Sequence, residues 1–196
     1  MAWSSYNSSG AAKTTGSPTF VTSLPTGSDG QEVYYRADDA NGIIWHLRFR
    51  SVASGGNATY GWEFVGGPPL AVTTGAQVSN LTYPTADVWV NIGAAVSLPG
   101  LPLAGDYWVS AISTVFNRVA STSGIGVATT AAGTPTHRTY ATSGVTTFVA
   151  HSLGQRFDGL AATTAVLTMR YIYNATAGLS VARDGYSLTA LPIRVG

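Results

Sequence analysis

The sequence predicts an all-β protein: a small three-stranded meander, then a jelly-roll β-sandwich, with an extended N-terminal arm. Three observations predict it. Ile43–Arg50 alternates strictly, with Ile43, Trp45, Leu47 and Phe49 on one face and Ile44, His46, Arg48 and Arg50 on the other. From about Ala71 onward, short β-prone runs are separated by Gly, Pro, Asn and Asp at the spacing of an all-β sandwich. No window carries a sustained apolar repeat of 3.6 residues.

The arm comes first. Residues 1–27 are rich in Ser, Thr, Gly and Ala, contain Pro18 and Pro25, and show no periodicity. They read either as a loose terminus or as an arm that orders against a neighbouring subunit, anchored by Trp3, Tyr6, Phe20 and Val21.

The second segment, 28–70, is the meander. Glu32–Ala37 reads as a strand, Asp38–Gly42 as a turn with the Asn-Gly hairpin signal, and Ile43–Arg50 as the second strand. A loop through Gly55-Gly56 leads to a third strand, where Tyr60, Trp62 and Phe64 share a face with Trp45, Leu47 and Phe49. The opposite face pairs Glu63 with Arg48 or Arg50. Gly66-Gly67-Pro68-Pro69 ends the unit, because proline has no ladder donor. Three strands are marginal alone, so the aromatic face must be covered by the larger domain, the arm or a neighbouring subunit.

The third segment, 71–196, holds the sandwich. Its candidate strands are Gln77–Tyr83, Val88–Ile92, Asp106–Arg118, Gly124–Thr130, Thr136–Thr142, Val145–Arg156, Ala165–Asn174 and Tyr186–Val195. Asp158-Gly159 and Asp184-Gly185 read as turns, and Leu98–Leu103 as an irregular crossover between sheets.

Composition narrows the function. Hydrophobic residues make up 45% and charged residues 10%, and 21 aromatic side chains (10 Tyr, 6 Phe, 5 Trp) argue against disorder. The net charge is +1 with the charges scattered singly, so no nucleic-acid partner is expected. Cysteine is absent, which removes disulfides, thiolate metal sites and cysteine nucleophiles. Neither a signal peptide nor a membrane-inserting stretch of roughly 20 apolar residues is read.

No catalytic constellation emerges, and the chain is expected not to be an enzyme. His46, His137 and His151 lack metal-ligand spacing, and no Gly-x-Ser-x-Gly elbow or Gly-rich phosphate loop is present. No cofactor or metal is expected. Asp158 and Asp184 are the one carboxylate pair considered for a depolymerase. Trp89, Tyr107, Trp108, Tyr140, Tyr171 and Tyr173 are the rings a glycan could stack on, though several must be core.

Asp29-Gly-Gln-Glu-Val-Tyr-Tyr, Gly42-Ile-Ile-Trp-His-Leu-Arg-Phe-Arg and Tyr60-Gly-Trp-Glu-Phe-Val-Gly-Gly-Pro-Pro-Leu70 together resemble a module of tailed-bacteriophage structural proteins, found in tail-fibre, minor-tail and head-surface proteins. Ala104-Gly-Asp-Tyr-Trp-Val-Ser is similar to the opening strand of trimeric, tumour-necrosis-factor-like jelly rolls of virion appendages. The resemblance implies a virion component assembled in the host cytoplasm, a homotrimer bound to other capsid or tail proteins, with host-surface glycan as a further partner. It makes the N-terminal part the attachment element and displays the jelly roll outward. Trp3, Tyr6, Phe20, Trp45, Phe49, Tyr60, Trp62 and Phe64 are then the attachment candidates.

Overall fold

Among the described residues, regular structure is β throughout apart from one 3-10 turn at Val52–Ser54. The computed structural model describes residues 5–6, 12–13, 19–82, 87–98, 100–117, 121–130, 133–143, 147–163, 166–174 and 180–196, with the backbone alone at 5–6, 12–13, 74–82, 117, 121, 143, 147 and 180–184. Trp3 lies outside the described residues. Tyr6 is described by its backbone, where β1 (Ser5–Tyr6) pairs antiparallel with β2 (Ala12–Lys13).

Eight strands form the jelly roll: β7 (Leu70–Thr82), β8 (Val96–Ser97), β9 (Gly105–Asn117), β10 (Ser121–Ala128), β11 (His137–Ser143), β12 (Thr147–Leu160), β13 (Thr168–Asn174) and β14 (Ser180–Val195). The large sheet runs β7-β14-β9-β12 and the small one β8-β13-β10-β11, all antiparallel. Successive strands alternate between the sheets, except for the β10–β11 hairpin. That path is the double Greek key of a jelly roll.

The meander extends the large sheet. β4 (Glu32–Asp38), β5 (Ile43–Phe49) and β6 (Trp62–Gly66) pair antiparallel, and β6 pairs the end of β14 through Arg194↔Glu63 and Val195↔Trp62. β6 and β7 thus lie end to end along one side of β14. Gly67, at φ 131°, sits between them with its α-carbon against the Ile44 carbonyl, where a Cβ would come within 2.4 Å.

One core serves both parts. Val33, Tyr35, Trp45, Leu47 and Trp62 from the meander join Tyr107, Val109, Ile125, Met169, Tyr171 and Leu188 from the jelly roll. Trp45 donates from Nε1 to the Pro68 carbonyl at 3.0 Å and packs on Tyr107 with ring centroids 6.2 Å apart. The aromatic face is therefore covered by its own chain. Trp45 and Trp62, expected among the attachment candidates, are interior side chains, because the meander turns that face inward onto the jelly roll.

The arm also finds a place on its own chain. β3 (Thr19–Val21) pairs in parallel with β4, so 19–21 order on the chain's own sheet edge rather than awaiting a neighbour.

Three local expectations need correction. Val88–Ile92 makes only the isolated bridge Val90↔Tyr171; Gly93, at φ 73°, breaks the run, and pairing with β13 resumes at Val96–Ser97. Asp158-Gly159 and Asp184-Gly185 do not reverse the chain. Gly159 and Gly185, at φ 64° and 65°, lie inside β12 and β14 at register shifts, where paired neighbours hold the strand on its course and the left-handed glycine absorbs an extra residue. Leu98–Leu103 does cross between the sheets as expected, with Leu98 and Leu101 buried.

Candidate functional site

The outer face of the large sheet divides into two chemically different halves. Strand parity decides which side chains reach it. On β9, Tyr107, Val109, Ala111, Ser113 and Val115 point into the core, so Trp108, Ser110, Ile112, Thr114 and Phe116 point out. Register then places Phe148, Ala150, Ser152, Gly154 and Arg156 of β12 beside them, and Ser187, Thr189 and Leu191 of β14 on the other side.

Inside its rim, the described side chains of this half are apolar or hydroxylated. Trp108 and Phe148 are each 47% exposed and Ile112 53%. Phe116 and Phe148 pack with centroids 4.8 Å apart. The Trp108 indole lies across Gly154, where an added Cβ would meet it at 3.2 Å. Among the described side chains, its charges lie at the rim, where Arg156 pairs with Asp106 and Asp158.

The meander half is charged and aromatic. The Glu32 carboxylate accepts from Arg48 at 2.8 Å and lies 3.1 Å from His46 Nε2, while Arg50 faces Glu63 at 3.5 Å. The sequence allowed Glu63 either arginine; the structure gives it Arg50, because Glu32 faces Arg48 across the β4–β5 pair. Phe20 stacks on Tyr34 at 5.2 Å, Tyr34 on His46 at 5.1 Å, and the Arg36 guanidinium sits 5.9 Å from the Phe20 ring centre.

Asp106 marks the boundary. Its carboxylate accepts from Arg156 Nη2 and Gly159 N, each at 2.9 Å, and from Arg194 Nε, joining β9, β12 and β14. Burial works against its charge, but the Gly159 amide and the two guanidinium groups outweigh that and hold its carboxyl below the ordinary range. Asp106, Arg156 and Arg194 lie far apart in the chain, so no local sequence pattern marks this cluster.

The remaining candidates scatter. Phe20 is exposed at the sheet edge; Phe49, Tyr60 and Phe64 are half-buried. The Phe49 ring fills the space between Gly27 and Gly61, where added Cβ atoms would overlap it. Of the rings considered for glycan stacking, Tyr107, Tyr171, Tyr173 and Trp89 are buried, whereas Trp108 and Tyr140 are exposed on opposite sheets.

The histidines do not converge. His46 is on the charged half, His137 meets Phe157 edge-on at 4.6 Å, and His151 is buried with Nε2 3.0 Å from Ser123 Oγ. Among the described residues, no three His, Cys, Asp or Glu side chains form a metal-binding group, and no helix is long and apolar enough to cross a membrane. Asp158 and Asp184 do not face one another. Asp158 neighbours the start of β9 and Asp184 pairs with Thr114, so about 25 Å of strand separates them, against the roughly 5–10 Å a glycosidase pair requires.

No protein-family model matches the chain, and no curated protein matches it. A chain from the structure of infectious bursal disease virus, Gx strain, aligns with 77% of this chain at 10% identity and a TM-score of 0.35. The present chain spans 42% of that chain's length, and a likeness this loose settles neither fold nor function.

Proposed function

We propose that this chain is an architectural, non-catalytic component of a bacteriophage virion, carried on the head surface or tail as a decoration or fibre-type appendage. It acts as a homotrimer, bound to other virion proteins through its N-terminal part. The observation that carries the reading is the 29–70 stretch. The segment that resembles the phage module folds as an extension of a jelly-roll sheet, and β3, contributed by the arm, pairs on its outer strand β4. Among the described residues β3 ends the sheet, and an edge strand bearing an exposed aromatic, Phe20, suits strand addition by another protein.

Mass spectrometry of purified particles of the phage encoding the chain should find it as a stoichiometric component, and removal of residues 1–27 should abolish its incorporation. Its absence from particles would reject the virion role. A truncated chain that still decorates particles would move the attachment site elsewhere.

A second reading, glycan recognition, is favoured by Tyr140. Its half-exposed ring covers Gly124 on the outer face of the small sheet, beside Trp89 at 6.0 Å. It predicts saccharide binding that Tyr140→Ala removes; a glycan array without hits leaves the architectural role alone.

A further inference from the structure

We infer that the half of the large sheet's outer face built on Trp108, Ile112, Phe116 and Phe148 is where a second copy of this chain seats. The inference rests on the oligomeric part of the reading above and is independent of a phage origin.

The surface fits that occupant in three ways. From Trp108 to Phe116 the face extends about 26 Å along the strand, and four strands at about 4.8 Å spacing make it nearly 20 Å wide, roughly 500 Å² in projection. Two such faces together cover about 1,000 Å², the lower bound for a specific interface. Shape is the second point. The side chains stand on an extended four-stranded sheet face, which suits another sheet face better than a small ligand.

Charge is the third. Among the described side chains the interior of this half has none to offer an acidic or basic partner, whereas Ser110, Thr114, Ser152, Ser187 and Thr189 both donate and accept hydrogen bonds. A surface of hydroxyls and aromatic rings complements itself. The charged half of the same sheet satisfies its carboxylates and guanidinium groups internally through Glu32, Asp106 and Glu63, and stays wet at the rim.

The test compares the full-length wild type with Ile112→Arg, Phe148→Arg and, as a control on the charged half, Arg50→Ala, by sedimentation velocity and native mass spectrometry. Circular dichroism and thermal melting report folding. Ile112 and Phe148 project outward, so both variants should melt like wild type yet dissociate at least about thirtyfold more readily, as for an interface hot spot given an unpaired charge. Arg50→Ala should assemble normally. Folded arginine variants that associate as tightly as wild type would overturn the inference while leaving the oligomeric reading intact. A wild type that stays monomeric at micromolar concentration would overturn both.

Discussion

The indole of Trp108 lies across Gly154 of the adjacent strand, at a spacing where an added Cβ would come 3.2 Å from the ring. Gly154 thereby lets a large aromatic side chain lie down on the sheet. A tryptophan held flat widens the apolar surface at small entropic cost, the property wanted at a contact between copies.

Gly154→Leu should lift the indole off β12 and roughen the face. Association should weaken by about an order of magnitude, while the melting temperature moves by no more than about 2 °C, as expected for a change on an outer face. Concentration-dependent sedimentation read beside a melt checks both. Unchanged association would show that the indole's posture is immaterial.

Asp106→Ala should destabilise the fold by about 2 kcal/mol. Removing one partner of a buried pair usually costs more, and the discount reflects two guanidinium groups that are themselves substantially exposed. Because the native carboxyl is held below its ordinary range, its contribution is complete above the unfolded value near pH 4 and is lost as pH falls through the folded value. Urea midpoints at pH 7 and pH 3 should therefore differ less in the variant than in wild type.

His151 imposes a dependence nearer neutrality. Burial pushes its imidazole below the ordinary value, so the unfolded chain takes up a proton first as pH falls. Stability is complete above about pH 6.5 and falls between there and the folded value by at most about 1.4 kcal/mol per pH unit. His151→Gln should flatten the melting temperature between pH 7 and pH 5; an unaltered slope would assign the effect to another group.

Trp45→Ala should cost about 3–5 kcal/mol, since it opens a large cavity and leaves the Pro68 carbonyl without its indole partner. The shared core predicts that meander and jelly roll unfold together, giving one calorimetric transition that moves down as a unit. Two transitions, with only the smaller displaced, would mean that residues 29–70 fold separately.

Much of the fold was legible in residue patterns. Trp45 and Leu47 alternate with His46 and Arg48, and that period alone puts the first pair inside. Asn41-Gly42 makes the hairpin turn its sequence signals, with Gly42 at φ 67°. Asp158-Gly159 and Asp184-Gly185 carry the same local signal but lie within long paired strands, so tertiary pairing decides between a reversal and a bulge. Sequence also left open what covers the aromatic face, because Trp62 reaches the core only through the pairing of β6 with the distant end of β14. The candidate site was half visible: in Tyr107–Phe116 both parities carry large apolar side chains, Trp108, Ile112 and Phe116 on one and Tyr107, Val109 and Val115 on the other. One of those sides proves to be open, and parity alone cannot distinguish a second core layer from a face awaiting a partner.

The most direct test is a three-dimensional reconstruction of the assembled oligomer. It should show Trp108, Ile112 and Phe148 buried against another copy, with Arg48 and Arg50 in solvent. An assembly in which those three side chains face solvent and the copies meet elsewhere would contradict the account.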